Sequence, residues 1–291
     1  MTDTVTGGKE AKSNKAPSGQ VPDAVFGVSG DAGGAIAAVT RDAFLDGAVM
    51  IAQPRHGYRA GIDAVFLAAA AQPQEGHTRL NVLDAGAGVG TVGLLAAYRL
   101  CKLVDVCVTL VERSPELAAL AERNARDNDL DQRVRVVCAD VMGSAADLEA
   151  KGLGRESFDL VLTNPPFHVD THGTMSANVV KAGAHAMGEG DLERWARAMA
   201  RVTRPGGEIV VIHKASALPA LLAALVPRYG GLRIMPLHPR SGEPASRILI
   251  KGVKGSRAPL TLLPGGPLHG EGNAFTSAAT AILRHGAGLW L

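Results

Sequence analysis

Cysteine is scarce in this 291-residue chain: Cys101, Cys107 and Cys138 are three, an odd number, and no pair has Cys-x-x-Cys spacing. That leaves no disulfide framework and reads as reduced, structural thiols in a cytoplasm. Long apolar runs are missing too. None reaches membrane-spanning length, and Met1 to Gln20 lacks the apolar core of a secretory signal. An excess of one charge is also absent, because 30 Lys and Arg face 28 Asp and Glu for a net charge of +2. Composition alone therefore does not announce nucleic acid as a partner. His172 and His185 have no Cys or carboxylate spaced to complete a metal site, so no metal is expected. No internal repeat and no paired His–carboxylate motif is present.

What is present describes a soluble globular protein, with 46% hydrophobic and 20% charged residues and enough chain to bury a sizeable core. Residues 1–38 are rich in Gly, Ser, Ala and Lys without a sustained period and read as a disordered tail. Residues 39–291 then form one domain.

Phe158-Asp-Leu-Val-Leu-Thr163 reads as a buried strand, and Asn164-Pro165-Pro166-Phe167 follows at its carboxyl end, where open α/β sheets bind ligands. The tetrapeptide suits one chemical problem. The nitrogen of an amide or aromatic amine is a poor nucleophile because its lone pair is delocalised. The Asn164 side-chain oxygen and the Pro165 carbonyl can each accept one N–H of a planar NH2 group, drawing the nitrogen toward tetrahedral geometry. Proline fixes φ, so both acceptors are held before substrate arrives. Phe167 offers a flat face for a base or amide to stack on. A plain Pro-Pro turn is the alternative, and the flanking Asn and Phe make it the weaker one.

Leu80-Asn-Val-Leu-Asp84 reads as a strand, Ala85 to Gly90 as a glycine turn and Thr91 to Arg99 as a helix. Gly86, Gly88 and Gly90 let the backbone approach a ligand that a Cβ would block. Gly88, Gly90 and Gly93 also spell Gly-x-Gly-x-x-Gly, which alone permits an NAD-dependent dehydrogenase. Asp84 leans the other way, because a carboxylate suits the ammonium of a methionine moiety and repels a pyrophosphate. Glu112 closes the strand Val106 to Val111, where an acid can hold both ribose hydroxyls. Pro115 to Asn128 reads as a helix with Ser114 as N-cap and Leu117, Leu120 and Ala121 facing inward. A third strand, Val134 to Ala139, ends in Asp140, which can accept from an adenine amino group. Three acids after three successive strands, beside a glycine turn, describe a cradle for S-adenosyl-L-methionine.

These motifs resemble those of Rossmann-like methyltransferases acting on planar amino groups: adenine-N6, guanine-N2 and protein glutamine-N5 enzymes. The finer resemblance is to the bacterial valine-tRNA adenine-N6 methyltransferases. It rests on Gln53-Pro-Arg-His-Gly-Tyr-Arg-Ala-Gly-Ile-Asp63, His238-Pro-Arg240, Arg247-Ile-Leu-Ile-Lys-Gly252 and Phe275-Thr276, and covers about residues 41–291. Tyr often follows the two prolines in that family, where this chain has Phe167; Phe167-His168 resembles some guanine-N2 rRNA enzymes. The resemblance implies a seven-stranded class I fold, mostly parallel with an antiparallel C-terminal hairpin. It also implies catalysis by Asn164, Pro165, Pro166 and Phe167. The cofactor would contact Asp84, Gly86, Gly88, Gly90, Glu112, Asp140, Tyr58 and Asp63, and the substrate would be the N6 of an adenine in a tRNA anticodon loop. A non-catalytic cofactor- or RNA-binding protein is a further alternative, disfavoured by the intact tetrapeptide.

The remaining segments carry simpler expectations. Asp42 to Asp46 reads as a helical turn, Val49 to Ile51 as a short strand and Ala64 to Ala71 as a buried helix behind a polar loop that could act as a lid. His168 to Glu189 reads as a substrate loop, and Asp191 as the cap of a helix ended by Arg204-Pro-Gly-Gly207. Acidic residues dominate from Asp105 to Asp159, whereas twelve basic residues face five acidic ones from Glu189 to Arg257. Such a bias fits a C-terminal side that meets an RNA backbone.

Overall fold

The computed structural model describes residues 38–56, 59–165 and 190–291. All but the last residue of the expected tail, Tyr58, Pro166, Phe167 and the expected substrate loop with His172 and His185 therefore lie outside the described residues.

Among the described residues nine strands form the main sheet: β3 (Arg79–Ala85), β4 (Asp105–Glu112), β5 (Val134–Cys138), β6 (Phe158–Thr163), β7 (Thr203–Lys214), β8 (Tyr229–Arg240), β9 (Arg247–Lys254), β10 (Thr261–Leu262) and β11 (Gly266–His269). Their order is β10-β8-β9-β7-β6-β3-β4-β5, with β11 also on β8. Strands β3 to β7 pair in parallel, and the expected antiparallel hairpin is β8 with β9. Strand β9 slots between β7 and β8, which returns the chain to the sheet before its edge. The two short strands β10 and β11 lie beyond what short-range patterning predicts.

The parallel strands are apolar on both faces because both are covered. Alternate residues such as Val82, Val108, Leu160 and Val210 pack on one side beneath α1 (Ile62–Ala70), α2 (Thr91–Leu100), α3 (Pro115–Asp127) and α7 (Ser277–His285). Their neighbours Leu83, Val111, Val161 and Ile209 pack on the other, beneath α4 (Ala145–Ala150), α5 (Asp191–Val202) and α6 (Leu218–Leu225). The cap of α3 is as expected: the Ser114 hydroxyl accepts from the Leu117 amide at 3.3 Å. No helix among the described residues is long and apolar enough to cross a membrane.

Three local expectations are corrected. Asp42 to Asp46 is no helical turn: β1 (Val39–Phe44) pairs antiparallel with β2 (Val49–Pro54) around a turn with positive φ at Leu45, Asp46 and Gly47. Cross-strand pairing outweighs local helix propensity there. Asp191 is the first helical residue of α5, and Gly190 at φ +85° takes the N-cap. Arg204-Pro-Gly-Gly207 lies inside β7, where a register shift against β6 and Gly206 at φ +75° absorb the turn-forming residues.

Side chains of α3 fasten the hairpin to this frame. Asn124 is fully buried; it accepts from the Ala52 amide (2.9 Å) and donates to the carbonyls of Ala52 and Val89 (3.0 Å each). Asn128, one turn on, exchanges the same pair of bonds with Met50 at 2.8 Å. Two carboxamides thus act as a neighbouring strand for β2 and also grip the glycine turn at Val89. Replacing Asn124 with Ala strands three buried backbone groups, so it is expected to cost about 3 kcal/mol and lower Tm by roughly 6–12 °C. A melt within about 2 °C of wild type would refute this role.

Candidate active site

The chain leaves β3 toward β4 and β5 on one side and returns to β6 and β7 on the other, so strand order reverses between β3 and β6. Open sheets bind ligands at the carboxyl ends flanking such a switch point. Both sequence motifs meet there. Ala85 and Thr163 are register partners, and the buried Thr163 hydroxyl donates to the Ala85 carbonyl at 3.1 Å. The glycine turn after β3 and the Asn164-Pro165 pair after β6 therefore leave adjacent strands side by side. Asn164 is half-buried and Pro165 buried. A threonine inside an apolar run carries no motif, so nothing in the sequence marks Thr163.

The glycine turn needs its glycines. Gly86, Gly88 and Gly90 have φ of +77°, +58° and +87°, the left-handed region that other residues rarely adopt. A Cβ added at Gly86 or Gly88 would meet nothing within 4 Å, so these two face open space beside the strand ends. The amides of Gly86 and Ala87 both donate to the Val111 carbonyl at 2.9 Å, which pins the turn to the end of β4. Gly90 serves a different need as N-cap of α2, and an added Cβ there would lie 2.8 Å from Leu110.

The three acids stand at successive strand ends, in unlike environments. Asp84 is 2% exposed and accepts from the Gly93 amide of α2 at 2.8 Å. Loss of hydration pushes its carboxyl from 3.8 up to about 7, opposed by the Gly93 amide and reinforced by the Glu112 charge. Glu112 is buried, with one oxygen accepting from the Gly88 amide at 2.8 Å and the other from Ser114 at 2.9 Å. Asp140 is exposed, and its carboxylate accepts from the Met142 amide at 2.9 Å. The open glycines and the acids at successive strand ends leave room and hydrogen-bond acceptors for S-adenosylmethionine, with Asp84 the least accessible of the three.

The Asp84 shift has a measurable consequence. Between about pH 4 and 7 the folded chain keeps a proton that the unfolded chain has lost. The stability this group contributes is thus fully present below pH 3.8 and is lost as pH rises to about 7. Without cofactor, Asp84→Asn is expected to flatten the dependence of Tm on pH across that window. Superimposable curves for the two proteins would rule the shift out.

Asp63, in the first turn of α1, accepts from Arg247 Nε on β9 at 2.8 Å. Two pieces of the family resemblance thus meet across 184 positions. The loop before it is closed by Gln53, whose side chain accepts from the Ala60 amide at 2.8 Å and donates to Asp42 at 2.7 Å. Arg59 also pairs with Asp42 at 2.5 Å. Thr276 caps α7 by accepting from the Ala279 amide at 3.2 Å, and Phe275 stacks on His269 with ring centres 4.6 Å apart. These residues hold the C-terminal pieces in place.

The charge bias noted in the sequence folds back on itself. Arg201, Arg204 and Lys254 of the basic stretch pair with Glu149, Asp159 and Glu156 of the acidic one. Arg194, Arg197 and Arg228 pair with Asp191 and Glu193, and Lys251 with Glu208. The C-terminal side therefore presents no uninterrupted basic face built from these residues, because acids one turn away on α5 and others distant in sequence lie beside them.

Comparison with known proteins agrees with this geometry. The family model described as the methyltransferase small domain matches residues 63–222. A solved structure from Agrobacterium tumefaciens, described as a predicted O-methyltransferase, is 32% identical and superposes with a TM-score of 0.64 over 79% of this chain and 99% of its own. The tRNA1(Val) (adenine(37)-N6)-methyltransferase of Enterobacter sp. (strain 638) is 32% identical over 132 residues, 45% of this chain and 49% of the relative. Its namesake from Tolumonas auensis is 27% identical over 56% of this chain and 62% of the relative. The chain thus spans about half the length of the curated relatives it matches. Membership in a methyltransferase family sets aside the dehydrogenase reading that the glycine spacing alone permits. The chain belongs to the methyltransferase small domain family, on the class I fold that uses S-adenosyl-L-methionine as methyl donor.

Proposed function

We propose that this chain methylates the exocyclic amino group of a nucleobase in RNA, with N6 of an adenine in a tRNA anticodon loop as its target. The observation that carries the reading is the hydrogen-bonded pairing of the β3 and β6 ends, which sets Asn164 and Pro165 beside the open glycine turn. The names of the curated relatives support the tRNA adenine target; the Agrobacterium protein's name points to an oxygen acceptor. Chemistry favours nitrogen. An oxygen nucleophile needs a base to take its proton, whereas Asn164 and Pro165 supply two neutral acceptors matched to the two N–H bonds of an NH2 group.

S-Adenosylmethionine, when bound, supplies an electrophilic methyl group. Asp84, Glu112 and Asp140 hold its amine, ribose and adenine ends in this reading, with Tyr58 contributing from the neighbouring loop and Asp63 from the first turn of α1. Asn164 and Pro165 orient the substrate amine, and Phe167 stacks on a base that has left its neighbours, at little cost in a loop already single-stranded. The methylated amine passes its extra proton to water, so no strong general base is required. The site of action in this reading is the cytoplasm.

The test is transfer of labelled methyl to tRNA lacking the modification, followed by nucleoside mass analysis. N6-methyladenosine is the expected product. A guanine product keeps the mechanism and changes the base, as Phe167-His168 would suit. Absence of label in tRNA, with cofactor demonstrably bound, overturns the tRNA target in favour of rRNA or a protein glutamine.

A further inference from the structure

Helix α2 begins at the glycine turn and ends ten residues later, about 15 Å along its axis, at a cavity of about 340 Å³ on the far side of the domain from the cofactor cradle. Among the described residues its lining includes Arg99, Lys102 and His285 together with Tyr98 and Trp290, and no acidic residue. Arg99 is 7% exposed. Its Nε donates to the Gly286 carbonyl at 2.8 Å, and its Nη1 to the carbonyls of Ala68 (2.6 Å) and Ala71 (3.4 Å). These carbonyls belong to the C-terminal ends of α7 and α1, whose dipoles partly offset the charge. The offset is incomplete: burial lowers the Arg99 pKa to about 10. The bonds to the described residues run from Nε and Nη1 alone, and Arg99 is one of the residues that line the cavity. Lys102 Nζ sits 4.1 Å from the centre of the Tyr98 ring, and Trp290 is 68% exposed.

A clamp that ties the ends of α1 and α7 accounts for Nε and Nη1. It does not account for Nη2, for Lys102 and His285 turned to the same cavity, or for an indole left in water beside them. The basic residues of the C-terminal stretch are largely neutralised by acids, yet this group has no acidic side chain among the described residues of its lining. A cation set with an adjacent exposed aromatic face matches one segment of single-stranded nucleic acid: a phosphate on the cations, a base on the ring.

We propose that this cavity is a second RNA contact, in which Arg99, Lys102 and His285 hold a backbone phosphate of the substrate while an unstacked base lies on Trp290. The inference rests on the RNA reading given above. It adds an anchor remote from the methyl-transfer site, so that the substrate is held at both ends of α2.

The test is equilibrium binding of unmodified bulk tRNA to the full chain carrying S-adenosylhomocysteine. Arg99 is left intact because it also holds the helix ends. Lys102→Glu and Trp290→Ala are each expected to weaken tRNA binding about tenfold. Lys102→Gln should reduce the slope of log Kd against log salt by about 0.7 to 0.9. Cofactor affinity should stay at the wild-type value in all three. RNA-induced quenching of tryptophan emission, present in wild type, should vanish in Trp290→Phe. Variants that bind tRNA as tightly as wild type, while wild type methylates it, overturn this inference and leave the functional reading standing. A wild-type protein that neither binds nor methylates RNA overturns both.

Discussion

Asn164→Ala is expected to lower kcat by about 10² to 10³, the cost of removing one preorganised polar group that acts in the transition state, while cofactor affinity stays within about twofold of wild type. The reason is positional. Asn164 follows directly on Thr163, whose hydroxyl ties β6 to the end of β3, so the carboxamide is delivered by a strand end that cannot drift from the glycine turn. Its oxygen is proposed to bind an N–H of the substrate amine and to have no part in holding the cofactor. Loss of the acceptor should therefore appear in kcat. Asn164→Asp retains an acceptor oxygen and should keep more activity than the alanine variant. Single-turnover rates with saturating tRNA, set beside calorimetric cofactor binding, separate the two effects. An alanine variant with wild-type kcat would remove Asn164 from the chemistry.

Glu112→Ala should act in the opposite column. Its two carboxylate oxygens already accept from the Gly88 and Ser114 amides, which aim the group at the end of β4 and hold the glycine turn in shape. Each oxygen has further lone pairs for a ribose hydroxyl, and hydrogen bonds to a charged group contribute roughly 1.5–3 kcal/mol each. Removing both is expected to weaken S-adenosylmethionine binding by at least about 10², with much of the turnover recovered at saturating cofactor. Glu112→Gln keeps one acceptor and should lie between. Titration calorimetry decides the matter, and an alanine variant with wild-type affinity would show that the carboxylate only braces the turn.

The two variants test different strands of the same switch point, and the sequence made that point legible for a local reason. A strand covered on both faces must be apolar along its length, and the turns after β3 and β6 declare themselves through glycine and proline, whose φ preferences belong to the residue itself. Asp84, Glu112 and Asp140 follow because each is the first acid at a strand end. The Asp42 to Asp46 stretch shows where local reading fails: it reads as a helical turn, but pairing with Val49–Pro54 makes Asp42 to Phe44 a strand and leaves Leu45 and Asp46 to the hairpin turn.

The sequence by itself determined the parallel α/β core, the order of its motifs and the chemistry they suit, since all of these depend on neighbours within a few positions. Tertiary structure alone decided which distant groups would meet. It seated β9 between β7 and β8, gave Asn124 and Asn128 the open edge of β2, and joined Asp63 to Arg247. It also brought the acids of residues 105–159 onto the basic C-terminal stretch, so a bias plain in the sequence leaves little one-sided face, while Arg99 was buried at a cavity wall that no spacing announces. Pairings of this kind are set by how helices and strands pack across the sheet, and packing joins residues whose separation along the chain carries no information about their separation in space.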